Sequence, residues 1–217
     1  MNLVKLFDMQ RQLDAHIEKE HPRQEGEDRL AKKILALQVE LGELANCWRG
    51  FKYWSHDQEP RIIEYCSSCG GRGVIEYFDP FDEQGYMQDP CEDCEGNGTT
   101  GRMPLLEEFA DCLHFILSIG LEITEPDMLD LKSWNLTKAD NITEQFLCLM
   151  ADVTDLYNGL YNDVDSKFYD VDSKFYYEFL LLRFIHLGEM LGFSWEEVEE
   201  AYIRKNAENH SRQERGY

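Results

Sequence analysis

The stretch KKILALQVELGELANCWRGFKYW, residues 32–54, decides the fold. Ile34, Leu37, Leu41, Leu44 and Trp48 recur at the three-then-four spacing of a single helical face, so a helix that buries this face is predicted. A short aromatic and basic exit, RGFKYW, follows it. Glu40 and Glu43 lie one turn apart and flank the apolar stripe instead of opposing it. A helix edge that presses two carboxylates against a core suits solvated charge poorly. It suits a hard cation well, because such a cation takes carboxylate oxygens from a rigid element.

Composition supplies a bland alternative. With 43 acidic residues in 217, roughly eight such carboxylate pairs arise from composition alone, and most are solvated helix edges. A second copy sets this pair apart. In LLEEFADCLHFILSIG, residues 105–120, the stripe is Leu106, Phe109, Leu113, Ile116 and Gly120, and Glu108 and Asp111 flank it in the same manner. Two core helices packed with these pairs face to face bring four carboxylates into a small volume, where they repel unless cations separate them. An all-oxygen donor set favours Mg²⁺ over zinc and leaves room for water and phosphate oxygens.

The net charge of −22 argues against a nucleic-acid surface or an anionic membrane as the main partner. A compact phosphate ligand stays compatible, since a bound metal inverts the local charge. The chain contains no apolar run long enough to span a bilayer, and MNLVKLFDMQ turns polar too early for a signal peptide. Four of the seven cysteines fall in two CxxC pairs, which fits a metal site in a reducing compartment better than a disulfide framework. A cytoplasmic protein is the expectation.

Residues 65–103 change character. CSSCGGRG at Cys66–Gly73 and CEDCEGNG at Cys91–Gly98 are both CxxCxGxG knuckles. Cys66, Cys69, Cys91 and Cys94 make a closed, structural Zn²⁺ site with no open position, and the glycines permit turns that aim backbone amides at sulfur. A redox CxxC fits the doubled, glycine-rich context less well. The knuckles resemble the cysteine-rich repeats of DnaJ-type chaperones over about forty residues, which implies a fold and a binding role. With this unit set aside as an insertion, residues 1–64 and 104–217 form one discontinuous helical domain, in which the Glu40 and Glu108 helices make an antiparallel hairpin.

The first helix spans Leu3 to Glu20, and Gln10 interrupts its apolar stripe. A buried amide needs partners, so Gln10 either bonds neighbouring backbone or reads the edge of a base. Lys52 beside Phe51, Tyr53 and Trp54 offers a cation and ring faces, or merely closes a core edge. Residues 123–140 read as a connector, Asn141 with Glu144 as a helix start, and Ser194 with Glu197 as a capping box. DVDSKFY occurs twice in tandem, at Asp163–Tyr169 and Asp170–Tyr176. In the last helix Tyr202, Lys205, Asn209 and Arg212 share a face, either as an anion site or as a surface that balances the acidic first turn.

The order of these residues carries a resemblance. Gln10, Glu40-x-x-Glu43, Lys52-x-Trp54, Glu108-x-x-Asp111-x-x-His114-Phe115 and Tyr202-x-x-Lys205-x-x-x-Asn209-x-x-Arg212 are similar to the all-α dimeric dUTPases, within the MazG-type nucleotide pyrophosphatases. The resemblance spans the chain except for residues 65–103 and roughly 122–172. It implies an all-α bundle of the NTP pyrophosphatase type, a homodimer, and Mg²⁺-dependent hydrolysis of dUTP to dUMP and pyrophosphate. Glu40, Glu43, Glu108 and Asp111 would be the Mg²⁺ ligands, with Glu40 the candidate for activating water. Lys52, Lys205 and Arg212 would meet the phosphates. Gln10, Trp54, Phe115 and Asn209 would form the nucleoside pocket, with His114 and Tyr202 beside them in the same motifs. Two other readings compete: a dCTP/dUTP or broader NTP pyrophosphatase, and a helical scaffold whose zinc unit binds a partner.

Overall fold

Leu37, Leu41 and Leu44 are fully buried and Ile34 nearly so, as the stripe requires. The computed structural model describes residues 2–81, 85–161 and 173–216. Its helices are α1 (Leu3–Glu20), α2 (Arg29–Trp48), α3 (Pro104–Ile123), α4 (Ile142–Tyr161), α5 (Ser173–Met190) and α6 (Trp195–Glu214). One two-stranded antiparallel sheet, β1 (Val74–Phe78) with β2 (Tyr86–Pro90), pairs Val74 with Pro90 and Phe78 with Tyr86.

Local chemistry explains the helix ends. The Asn2 side chain accepts from Lys5 N, and that of Asp28 from Ala31 N, satisfying amides that the first turn leaves free. Ser194 and Glu197 form the reciprocal capping box at the start of α6. Asn141 caps α4 by accepting from Glu144 N at 2.9 Å.

The central helix is α3. Leu106, Phe109, Leu113, Ile116 and Gly120 are buried, and so are Ala110, Cys112, Leu117 and Ile119 on its other sides. A helix apolar on most sides sits inside, and α3 packs against α1, α2, α5 and α6. Gly120 is required by close approach: a Cβ there would stand 2.2 Å from the Tyr177 hydroxyl, which donates to Ile116 O at 3.1 Å. Helices α2 and α3 run antiparallel. Lys33 near the start of α2 meets Glu122 near the end of α3 at 2.9 Å, while Glu43 and Glu108 meet at the opposite end. Helix α1 runs parallel to both α3 and α6, as the contacts Gln10–His114, Asp14–Ser118 and Lys5–Glu199 show.

The connector after α3 is pinned down. Its one 3₁₀ turn is Pro126–Met128, and buried Glu178 of α5 accepts from Asp130 N at 2.8 Å and from Trp134 Nε1 at 2.9 Å. The tandem DVDSKFY lies outside the described residues except for its last four, Ser173 to Tyr176, which open α5. No described helix is long and apolar enough to cross a membrane.

Candidate active site

Glu40 and Glu43 project from α2 toward Glu108 of α3, and one carboxylate oxygen from each lies within 4.8 Å of the others. The antiparallel hairpin produces this convergence, because it sets the last turns of α2 against the first turn of α3. Burial, reinforced by the charges of Asp111, Glu43 and Glu108, pushes Glu40 up to about 7. Glu108 and Asp111 are also raised, with burial the largest cause in each. Carboxylates that resist ionisation because they are buried and close to one another form a set that a hard divalent cation fits, since its charge offsets both burial and repulsion.

Asp111 is held differently. It forms an ion pair with Lys205 of α6 at 2.7 Å, both side chains largely buried. The structure therefore brings three of the four expected ligands into one cluster and gives the fourth to a lysine expected at the phosphates. The pair couples α3 to α6 beside the cluster, and the two sequence roles meet in a single contact.

A cleft of about 980 Å³ extends from these carboxylates between α1, α2, α3 and α6. Gln10, His114, Phe115, Asn209 and Arg212 line it together with Lys205. Tyr202 does not. It is fully buried, stacks on His114 with centroids 4.1 Å apart, and its hydroxyl donates to Gln10 Oε1 at 2.8 Å. Tyr202 thus holds the wall from behind, because a phenol one turn before Lys205 points into the α1–α3 core. Lys52 and Trp54 also lie outside the cleft. Arg49, in the left-handed region at φ 65°, ends α2, and bonds from Lys52 N to Arg49 O and from Ser55 N to Lys52 O curl the exit into tight turns. Trp54 is 65 % exposed there, and the Lys52 ammonium sits 5.7 Å from the Phe51 ring.

Gln10 bonds side chains, not backbone. Its Nε2 donates to Asp14 Oδ1 at 2.7 Å, and its Oε1 accepts from Tyr202 and lies 2.8 Å from His114 Nδ1. Asp14 also accepts from Ser118 Oγ at 2.6 Å and pairs with Lys33 at 3.4 Å. Burial and the nearby Lys205 charge lower His114 to about 3, so it is neutral. Asp14, Ser118 and Lys33 were missed by sequence reasoning, although Asp14 sits one turn from a polar residue in an apolar stripe, where a buried amide finds its partner. Arg23 and Glu122, paired at 2.6 Å, line the far end of the cleft and carry no comparable signal.

Gln10→Leu therefore costs more stability than its apolar stripe suggests. It leaves Asp14 Oδ1 and His114 Nδ1 without their partner, at about 1–3 kcal/mol per stranded group, and the Tyr202 hydroxyl with only the longer bond to Leu6 O at 3.4 Å. We expect a clear fall in Tm by thermal denaturation, and an unchanged Tm would show that these bonds contribute nothing.

Cys66, Cys69, Cys91 and Cys94 are buried with one another. Cys66 and Cys91 sulfurs are 3.8 Å apart, as are those of Cys69 and Cys94. Zinc bonded to four sulfurs at about 2.3 Å has tetrahedral edges of about 3.8 Å, so the group can hold a zinc ion. The two knuckles mirror one another. Gly73 N donates to Cys69 Sγ and Gly98 N to Cys94 Sγ, both at 3.2 Å. A Cβ on Gly73 would meet Gly96 O at 2.4 Å, and one on Gly98 would meet Gly71 O at 2.5 Å.

No curated protein matches the chain. A family model described as dUTPase matches residues 2–66 and 97–217, and the stretch it passes over carries Cys69, Cys91, Cys94 and both strands. It covers all six described α-helices and all the carboxylates of the cluster. The clustered carboxylates, the cleft between four helices and this match agree: the chain belongs to the all-α dUTPase family.

Proposed function

We propose that the protein hydrolyses dUTP to dUMP and pyrophosphate with magnesium at the carboxylate end of the cleft. Family membership points to a hydrolase of the nucleotide pyrophosphatase type. The observation that carries the reading is the convergence of Glu40, Glu43 and Glu108 within 4.8 Å at one end of a nucleotide-sized cleft. A divalent cation bound there supplies a Lewis acid for phosphate oxygens and lowers the pKa of water. Glu40, within reach of Glu43 and Glu108 at the same end of the cleft, would take a proton from that water. Lys205 and Arg212 face the same space and offset charge on the phosphates. Gln10, His114, Phe115 and Asn209 lie farther along the cleft and would receive the nucleoside. Lys52 and Trp54 reach a bound nucleotide only if the turn that carries them moves.

Pyrophosphate release from dUTP, measured with magnesium and with chelator, tests the reading. Absence of magnesium-stimulated release would reject it. A panel of dUTP, dCTP and other triphosphates at equal concentration separates a dUTPase from a broader pyrophosphatase.

The same carboxylates predict how the Tm depends on pH. Glu40 is raised from 4.5 to about 7 in the folded chain. Without metal, its contribution to stability is full below about pH 4.5 and is lost as pH rises through 7. Cation binding requires the ionised form. The gain in Tm on adding magnesium therefore grows across this window. Lowered His114 acts in the opposite direction but is common to both samples and cancels in the difference. A gain independent of pH would place magnesium elsewhere.

Residues 65–103 are read as a zinc-stabilised insertion into the helical domain. A homodimer is the family's expected state. Leu35 and Val39 on α2 and Leu147 on α4 are each more than half exposed, which supports an interface on this side.

A further inference from the structure

The Gln10 amide has two possible orientations, and Asp14 selects one. A carboxylate only accepts hydrogen bonds. With Ser118 donating to Asp14 and Lys33 beside it, the carboxylate stays an acceptor and Gln10 must turn its Nε2 toward it. The reversed amide would set oxygen against oxygen at 2.7 Å. The choice propagates. Gln10 Oε1 then faces Tyr202 and His114, so Nδ1 of neutral His114 carries the proton and Nε2 is a bare lone pair. That Nε2 is buried and has no partner among the described residues, and Gln10 retains one N–H beyond the bond to Asp14. Both residues line the cleft.

We infer that Asp14 is a positioning residue for base recognition: it fixes which wall atom donates and which accepts, Gln10 N–H and His114 Nε2, toward the base of the nucleotide. The inference rests on the nucleotide reading of the cleft. Uracil and cytosine carry opposite hydrogen-bonding character at ring positions 3 and 4, so a wall with a fixed order of donor and acceptor matches one and opposes the other. A wall free to reverse that order accepts either. Asp14 touches no base itself and acts through Gln10.

Asp14→Asn removes the constraint, since an asparagine amide pairs with Gln10 in either orientation. The ratio of kcat/KM for dUTP over dCTP is the readout, with each substrate measured at saturating magnesium. The wild type discriminates, and Asp14→Asn lowers the ratio by about ten- to hundredfold, the scale of one mismatched buried polar pair. Asp14→Glu keeps an acceptor-only group and preserves the preference. A purely structural role would lower both substrates equally and leave the ratio unchanged, which overturns the inference. Equal use of dUTP and dCTP by the wild type also overturns it, while nucleotide hydrolysis stands. A wild type that hydrolyses neither rejects the functional reading, and the inference falls with it. The ¹⁵N spectrum of the His114 imidazole gives an answer without turnover. Protonation at Nδ1 is expected in the wild type and a mixture in Asp14→Asn. If Asp14→Asn does not fold, the wild-type tautomer decides, because a proton on Nε2 contradicts the inference.

Discussion

Glu43→Gln lowers turnover on dUTP by about two to three orders of magnitude and leaves the fold intact. Glu43 shares a carboxylate cluster with Glu40 and Glu108, yet it is the most exposed of the three. The substitution keeps the shape of the side chain, creates no cavity and removes one negative charge. In the metal-free protein it relieves repulsion that helps raise Glu40 and Glu108, so thermal stability is held or improved. A cation loses an anionic ligand, and the charge needed at the phosphates goes with it. Circular dichroism and Tm report the fold, and pyrophosphate release reports turnover. Near wild-type turnover in a well-folded variant would sink the assignment of the cluster to catalysis. A scaffold whose zinc unit binds a partner predicts no turnover in the wild type or the variant, because its carboxylates would have no task.

The parts of this architecture that were readable from sequence share a property: their residues are neighbours along the chain. Glu40 with Glu43 and Glu108 with Asp111 are one helical turn apart beside an apolar stripe, and the stripe fixes which way each helix faces. The knuckles are read from spacing for the same reason. The wall at Gln10 follows a different rule. Asp14, Ser118, Lys33 and Tyr202 come from four helices, and each is an ordinary residue in its own helix. Only the packing of α1 against α2, α3 and α6 brings Tyr202 and Asp14 to the Gln10 amide and Ser118 and Lys33 to Asp14. Tyr202 shows the cost of reading spacing alone. It shares a helical face with Lys205, Asn209 and Arg212, but that face is wider than the cleft and its first residue is core. Lys205 meets Asp111 because α6 crosses the carboxylate end of α3, and charge at two distant positions in the sequence does not encode that crossing.

The four-cysteine unit and the cleft are separable. Paired Cys66→Ser and Cys69→Ser, or chelation followed by removal of the chelator and return of magnesium, releases one zinc per chain and unfolds the zinc unit, while dUTP hydrolysis persists. The expectation comes from where the two sites draw their order. The unit buries its four cysteines with one another, and its strands are short and mostly exposed. Such a fold depends on metal binding for its stability, worth about 10–16 kcal/mol in apparent terms for structural zinc. None of its described residues lines the cleft. The chain also leaves and re-enters the helical body at one place. Glu64 N donates to Arg102 O at 3.1 Å and Thr100 N to Glu64 O at 3.0 Å, so a short loop between these positions restores the α2–α3 hairpin without moving Glu43 or Glu108. Anchors outside the unit, Arg61 N to Cys47 O at 3.0 Å and Leu105 N to Arg61 O at 2.9 Å, remain in the shortened chain. Metal analysis before and after chelation gives the stoichiometry, and turnover of the shortened protein gives the catalytic arm. If that protein is folded and yet inactive, the zinc unit reaches the nucleotide or closes over it, and the two sites work as one.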